Sequence, residues 1–256
     1  MRQRLGQHFL KNTNAISKII AALDIKKDEL IIEIGPGKGA LTLPLAEGCT
    51  QKSCKLIAIE KDAELAKKLG ENLQVIEGDA LEALPDLVSK LERKKYKLVG
   101  NIPYYITGKL LRIISELEHK PELTVLMIQK EVAERISAVP PKTNLLSAAT
   151  QFWAIPEIIL KLKPADFDPA PEVDSAVIKL TTKIETEENA GNYYRLIHII
   201  FKQPRKTLLN NLQKGLGIKK EKIEPVLSSL KLPLTARPQD LSINDIIKLS
   251  SITTQS

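Results

Sequence analysis

Five short apolar runs, each followed by a segment of helical pattern, dominate the first half of this 256-residue chain. They fall at Leu30–Ile34, Lys55–Glu60, 73–77, 96–100 and Leu123–Gln129. Strands that alternate with helices form βαβ units, which line up parallel strands in one sheet with helices on both faces. The run Leu30-Ile31-Ile32-Glu33-Ile34 is almost continuously hydrophobic, as in a central strand buried on both sides. The pattern predicts an α/β fold built on a doubly wound parallel sheet. A helix precedes it over 12–23, with Ile16, Ile19, Ile20 and Leu23 on one face and Asn12, Thr13 or Asn14 as its cap. Two later β-like runs, at 157–163 and Ser175–Thr182, lie close together and predict an antiparallel pair closing the sheet edge. The loop between them, 164–171, holds too many prolines for regular structure, and residues 1–11 read as a basic arm.

Beyond a polar, acidic stretch at 185–191, only helical patterns occur, at 193–202, 205–214, 219–230 and 243–250. That stretch reads as a linker, giving one domain over 1–185 and a second over 186–256. The formal net charge is +7 and it is unevenly spread. The last 71 residues hold 11 Lys/Arg against 6 Asp/Glu, whereas the preceding 185 are nearly balanced at 27 against 25. A basic tail of this kind suits a polyanionic partner.

Cys49 and Cys54 are the only cysteines, which argues against a disulfide framework and fits a reducing compartment. His8, His119 and His198 are scattered without metal-ligand spacing. No apolar run reaches the ~18 residues of a membrane span, and the N-terminus lacks the apolar core of a signal peptide. The expectation is a cytoplasmic protein that holds no metal and meets no membrane.

In a doubly wound sheet, ligands bind beyond the carboxyl ends of the strands. The first four ends carry Gly35-Pro36-Gly37-Lys38-Gly39, then Glu60, then Gly78-Asp79-Ala80-Leu81, then Asn101. Glycines admit a ligand close to the backbone, Glu60 can accept from two ribose hydroxyls, and Asp79 can accept from an adenine amine. Together they point to a nucleoside-bearing cofactor. Gly35-x-Gly37-x-x-Ala40 also satisfies a loose dinucleotide fingerprint, but no hydride-transfer constellation accompanies it. S-adenosylmethionine fits better, because Asn101-Ile102-Pro103-Tyr104 supplies a second site suited to a flat, amino-bearing ring. The Asn amide oxygen and the Ile102 carbonyl can accept both amine hydrogens while the Tyr ring stacks on the base.

Several segments carry a specific resemblance. Gln7-His8-Phe9-Leu10, Glu33-Ile34-Gly35-Pro36-Gly37, Ile59-Glu60, Glu77-Gly78-Asp79-Ala80-Leu81 and Asn101-Ile102-Pro103-Tyr104 resemble the rRNA adenine N6-dimethyltransferase family. So do Gln129–Arg135, Phe167-Asp168-Pro169-Ala170-Pro171-Glu172-Val173-Asp174-Ser175-Ala176-Val177, Arg205-Lys206-Thr207-Leu208 and Arg237–Ser242. The resemblance implies a class I S-adenosylmethionine-dependent methyltransferase (Rossmann-like) domain over 1–185, followed by a small, all-helical, basic rRNA-docking domain over 186–256. It implies cofactor contacts from His8, Leu10, Gly35, Gly37, Glu60, Asp79 and Asn101, with Asn101, Tyr104 and Phe167 as the catalytic set and the two aromatic rings embracing the target base. The target it implies is two adjacent adenosines near the 3′ end of small-subunit rRNA in an assembling 30S particle, modified by a monomer. The Val173–Val177 run and the C-terminal motifs favour this branch over macrolide-resistance methyltransferases of large-subunit rRNA. A mainly RNA-binding assembly role is the alternative of a different class. Two departures stand out. His8 replaces a frequent Asn, and Thr143-Asn144-Leu145-Leu146-Ser147 lacks the common Tyr-Gly-Arg-Leu-Ser form.

Overall fold

The computed structural model describes residues 8–71, 73–91, 95–183 and 190–253. Residues 1–7 of the arm expected at 1–11, and most of the expected linker, lie outside the described residues. The chain forms two compact units, one of Met1–Ala133 with Ile155–Thr182, the other of Glu134–Ala154 with Lys183–Ser256.

The first unit is built on a seven-stranded sheet. Its strands are β2 (Leu30–Ile34), β3 (Lys55–Glu60), β4 (Gln74–Glu77), β5 (Tyr96–Asn101), β6 (Leu123–Gln129), β7 (Ala154–Leu162) and β9 (Ser175–Thr182), in the spatial order β4-β3-β2-β5-β6-β9-β7. From β2 the chain runs outward through β3 and β4, then returns to β5 on the other side of β2 and continues to β6. These pairings are all parallel. The switch point therefore lies between β2 and β5, where a ligand crevice opens in such sheets. β9 runs antiparallel to β6 and β7 flanks it at the edge, so the two late β-like runs do close the sheet. Every residue of β2 is buried, as its composition requires.

The helices α1 (Thr13–Leu23), α2 (Thr42–Lys52), α3 (Ala63–Gly70), α4 (Ala80–Ser89) and α5 (Thr107–Glu116) follow the expected alternation. Asn12 caps α1 by accepting the Ala15 N–H at 3.0 Å. Ile19 and Leu23 bury the α1 face in a core shared with Leu10, Ile31, Leu45 and Phe167.

Two expectations need correction here. The proline-rich 164–171 loop is not irregular throughout. Phe167 and Asp168 form a short strand, β8, paired antiparallel with β1 (Phe9–Leu10). The Lys11 N–H extends the pairing to the Asp166 carbonyl at 2.9 Å. Proline restricts the backbone to extended conformations, which suits a short edge strand better than a helix. The second correction concerns sulfur. Cys49 and Cys54 are joined in one disulfide, where α2 ends and Ser53 turns left-handed at φ 56°. It is a local clasp rather than a framework, and the cysteines therefore carry no argument about compartment.

The second unit contains α7 (Leu145–Trp153), α8 (Ala190–Ile200), α9 (Leu208–Leu216), α10 (Lys220–Ser229) and α11 (Ile243–Thr253). α6 (Lys130–Ile136) enters it from Glu134 onward. A single boundary at 185 does not describe this division, because Glu134–Ala154 belongs with the C-terminal helices. The reason is packing. Ala148 and Phe152 share a buried core with Tyr193, Leu196, Leu212 and Leu249, and the Phe152 and Tyr193 rings stack at 3.8 Å. Asn144 and Ser147, in the stretch that departs from the family form, make a reciprocal capping box that starts α7. No helix among the described residues is long and apolar enough to cross a membrane.

Truncating a buried aromatic of this kind costs about 3–5 kcal/mol. Phe152→Ala should therefore abolish hydrogen-exchange protection across 190–253 while strands β2, β3, β5 and β6 keep theirs.

Candidate active site

The carboxyl ends of β2, β3, β4 and β5 bring Gly35, Glu60, Asp79 and Asn101 to the switch point. Two adjoining cavities open there, of about 70 Å³ and about 470 Å³, and Gly35, Glu60 and Pro103 line both. The smaller is also lined by His8, Leu10, Glu33, Gly37, Asn101 and Tyr104. The larger takes in Asp79, Lys61 and Tyr105 and has room for a nucleoside. Gly35 adopts φ +68° and a Cβ on it would meet the Asn101 carbonyl at 3.4 Å, so the turn favours glycine. On Gly37 a Cβ would fall 2.8 Å from the Phe9 ring.

Glu60 is 5% exposed and accepts two main-chain hydrogen bonds, from the Gly37 N–H at 3.0 Å and the Asp62 N–H at 2.8 Å. Burial pushes its carboxyl up, opposed by main-chain donors, the Gly37 N–H foremost. Asp79 is the N-cap of α4: Oδ1 accepts the Leu81 N–H at 3.0 Å, while Oδ2 receives the Lys61 ammonium at 2.8 Å. The Lys61 hydrogen bond, with the Leu81 N–H second, holds its carboxyl below the usual range.

Asn101 ends β5, and its Nδ2 donates to the His8 carbonyl at 2.8 Å. That bond fixes the amide so that Oδ1 remains as an acceptor. His8 therefore contributes here through its main chain, while its ring holds the Pro169 carbonyl at 2.8 Å and stacks on Tyr104 at 5.9 Å. The Tyr104 hydroxyl is hydrogen-bonded to Ser175 Oγ at 2.6 Å, and burial pushes the phenol up, with the Ser175 bond opposing.

A family model for ribosomal RNA adenine dimethylase matches residues 1–254. The chain belongs to that family. It is 37% identical over 257 residues to the ribosomal RNA small subunit methyltransferase A of Dehalococcoides mccartyi, covering 97% of this chain and 87% of the relative. Among solved structures, a dimethyladenosine transferase from Plasmodium falciparum matches with TM-score 0.82 and 26% identity, over 97% of this chain and 98% of that one. The 23S rRNA methyltransferase ErmE matches with TM-score 0.77 and 23% identity, over 96% of this chain and all of that one, a likeness of fold. The first unit thus has the class I, Rossmann-like methyltransferase architecture.

The dimethylase brings its expected site positions, or their main chains, to the two cavities, with one exception. Phe167 is that exception. Its ring is 2% exposed, packs in the core with Leu10, and lines neither cavity. Pairing of β8 with β1 turns it inward, so a two-ring embrace of a base is not what this structure presents. Three residues without an expected role take part: Ser175 holds the Tyr104 hydroxyl, Lys61 holds Asp79, and Glu33 lines the smaller cavity. Glu33 had a visible signal, an acid inside an otherwise apolar strand. Ser175 and Lys61 had none, because their partners are distant in sequence. Among the described residues no cluster of His, Cys, Asp or Glu could hold a metal ion.

Glu33 is 1% exposed, and burial pushes its carboxyl up to about 8, with the Thr42 hydroxyl opposing and the Glu60 charge adding. An unfolded Glu ionises near 4.3. Between those values the folded chain keeps a proton that the unfolded chain releases, so this residue makes stability fall as pH rises. The slope is at most about 1.4 kcal/mol per pH unit. Urea denaturation of the dimethylase and of Glu33→Gln from pH 5 to 9 should show the variant gaining relative stability toward pH 8, then levelling.

Proposed function

We propose that the chain transfers methyl groups from S-adenosylmethionine to N6 of two adjacent adenosines near the 3′ end of small-subunit (16S) rRNA, giving N6,N6-dimethyladenosine. The observation that carries this reading is the Asn101 amide, oriented by the His8 carbonyl at 2.8 Å with its oxygen free beside Tyr104. The larger cavity, with Glu60 and Asp79 on its wall, has the acceptor set for an adenosine: a carboxylate for the ribose hydroxyls and one for the purine amine.

When bound, S-adenosylmethionine supplies an electrophilic methyl on a sulfonium. The protein's part is positioning. Adenine's amine lone pair is delocalised into the ring, which makes it a poor nucleophile. Asn101 Oδ1 and the Ile102 carbonyl hold the two amine hydrogens, favour a more tetrahedral nitrogen and aim its lone pair. Tyr104, braced by Ser175, stacks on the base, an interaction worth ~1–3 kcal/mol. The nitrogen loses a proton to solvent once alkylated, so no strong base is needed. A second transfer at the same nitrogen has one hydrogen left to hold.

Lys202, Arg205 and Lys206 are exposed in the second unit and carry charge suited to rRNA phosphates. This unit docks the enzyme on folded rRNA within an assembling 30S particle, largely through shape and charge. The setting is a monomer in the cytoplasm, where small subunits are assembled.

Asn101→Ala should reduce methyl incorporation into unmodified small subunits to near background with rRNA affinity largely intact. Tyr104→Ala should raise KM for rRNA. Primer extension on the rRNA locates the product, because dimethyladenosine stops reverse transcriptase, and a stop elsewhere would redirect the target. Replacing Lys202, Arg205 and Lys206 with Ala should lower the slope of log affinity against log salt by about one for each phosphate no longer neutralised.

A further inference from the structure

A third cavity, of about 380 Å³, lies between α2 and α3 and shares Gly37 with the smaller of the two site cavities. The methyl transfer just described has no use for it. Leu43 from α2 and Leu65 and Leu69 from α3 line it. Leu65 and Leu69 are four residues apart and so share one helix face. Gly39 turns at φ +87° so close to these side chains that a Cβ on it would meet Leu69 at 3.2 Å and Leu43 at 3.5 Å. Leu43 is nevertheless 62% exposed, a large apolar side chain standing in water. Two exposed cations complete the lining, Lys38 from the glycine loop and Lys68 from α3, and no Asp or Glu joins them. The Lys38 ammonium also lies 4.5 Å over the ring of Phe9, which lines the smaller site cavity. Lys38 thus stands where the two cavities adjoin.

We propose that this groove seats one unpaired nucleotide of the rRNA substrate, other than the target adenosine, with its base against Leu43 and Leu69 and its flanking phosphates on Lys38 and Lys68. The inference rests on the rRNA reading above and adds to it a second RNA contact within the first unit. An apolar wall between two uncompensated cations suits an occupant that is apolar at its centre and anionic on either side. An unstacked nucleotide has that form, and single-stranded rRNA offers splayed bases that apolar side chains can hold. The lysines would position the strand through its phosphates without reading its sequence. A protein partner suits the groove less well. A stable protein interface buries ~1,200–2,000 Å², whereas Leu43 is the one large, well-exposed apolar side chain lining this groove.

Methylation and binding of unmodified small subunits by the full-length protein read this contact. Leu43→Asp should raise KM for the subunits about fivefold or more, the scale of one lost base contact. Lys38→Ala combined with Lys68→Ala should lower the slope of log affinity against log salt by about two. Both variants should keep the wild-type melting temperature and the wild-type affinity for S-adenosylmethionine by calorimetry, since all three side chains are exposed. A photoreactive Leu43→p-benzoylphenylalanine variant should cross-link to a single unpaired nucleotide, which primer extension maps. Cross-linking to a ribosomal protein alone, or wild-type KM and salt slope in both variants, overturns the proposal while leaving the target adenosines standing. If wild type methylates no small subunit, the rRNA reading falls and this inference with it.

Discussion

The site depends on how closely β5 passes β2. Gly100 pairs with Ile34 in parallel register, and a Cβ on Gly100 would sit 2.6 Å from the Ile34 carbonyl. Only glycine allows that approach without shifting the strands. It sets the floor of the crevice, with Gly35 leaving one strand and Asn101 ending the other. Because Gly35 turns at positive φ immediately after the pairing, the backbone falls away and space opens above Asn101. Pro103 then stiffens the exit from β5 and carries Tyr104 to the cavity wall.

A second constraint arrives from the ends of the first unit. Strand β1 pairs with β8 across more than half the chain's length, and this short ladder places the His8 carbonyl against the Asn101 amide. An amide has a donor end and an acceptor end, and which end faces the reacting group decides what it can hold. The orientation is thus set by a residue far away in sequence. The same ladder buries Phe167 against Leu10, so one pairing both aims the Asn101 amide and withdraws an aromatic ring from the cavities.

Charge in the site is unequal for local reasons. Asp79 has a cation and a helix N-terminus beside it, both of which favour its ionised form. Glu60 is buried yet receives main-chain donors on both oxygens. Glu33 is buried with little compensation and is driven toward its neutral form. Three acids within one crevice therefore meet three environments, and burial pushes Glu33 up to about 8.

Much of the first unit was legible in the sequence, since strand and helix periods are local and repeat along the chain. The apolar run 30–34, the glycines after it and the residues at four strand ends were readable because each occupies a fixed place relative to its own element. The tertiary structure alone decided which atoms face the cavities. The aim of the Asn101 amide, the burial of Phe167, the brace from Ser175 to Tyr104 and the isolation of Glu33 each depend on partners from other elements. So does the membership of α7 in the second unit, where Phe152 meets Tyr193. Such contacts follow from long-range pairing and packing, which local periodicity does not encode.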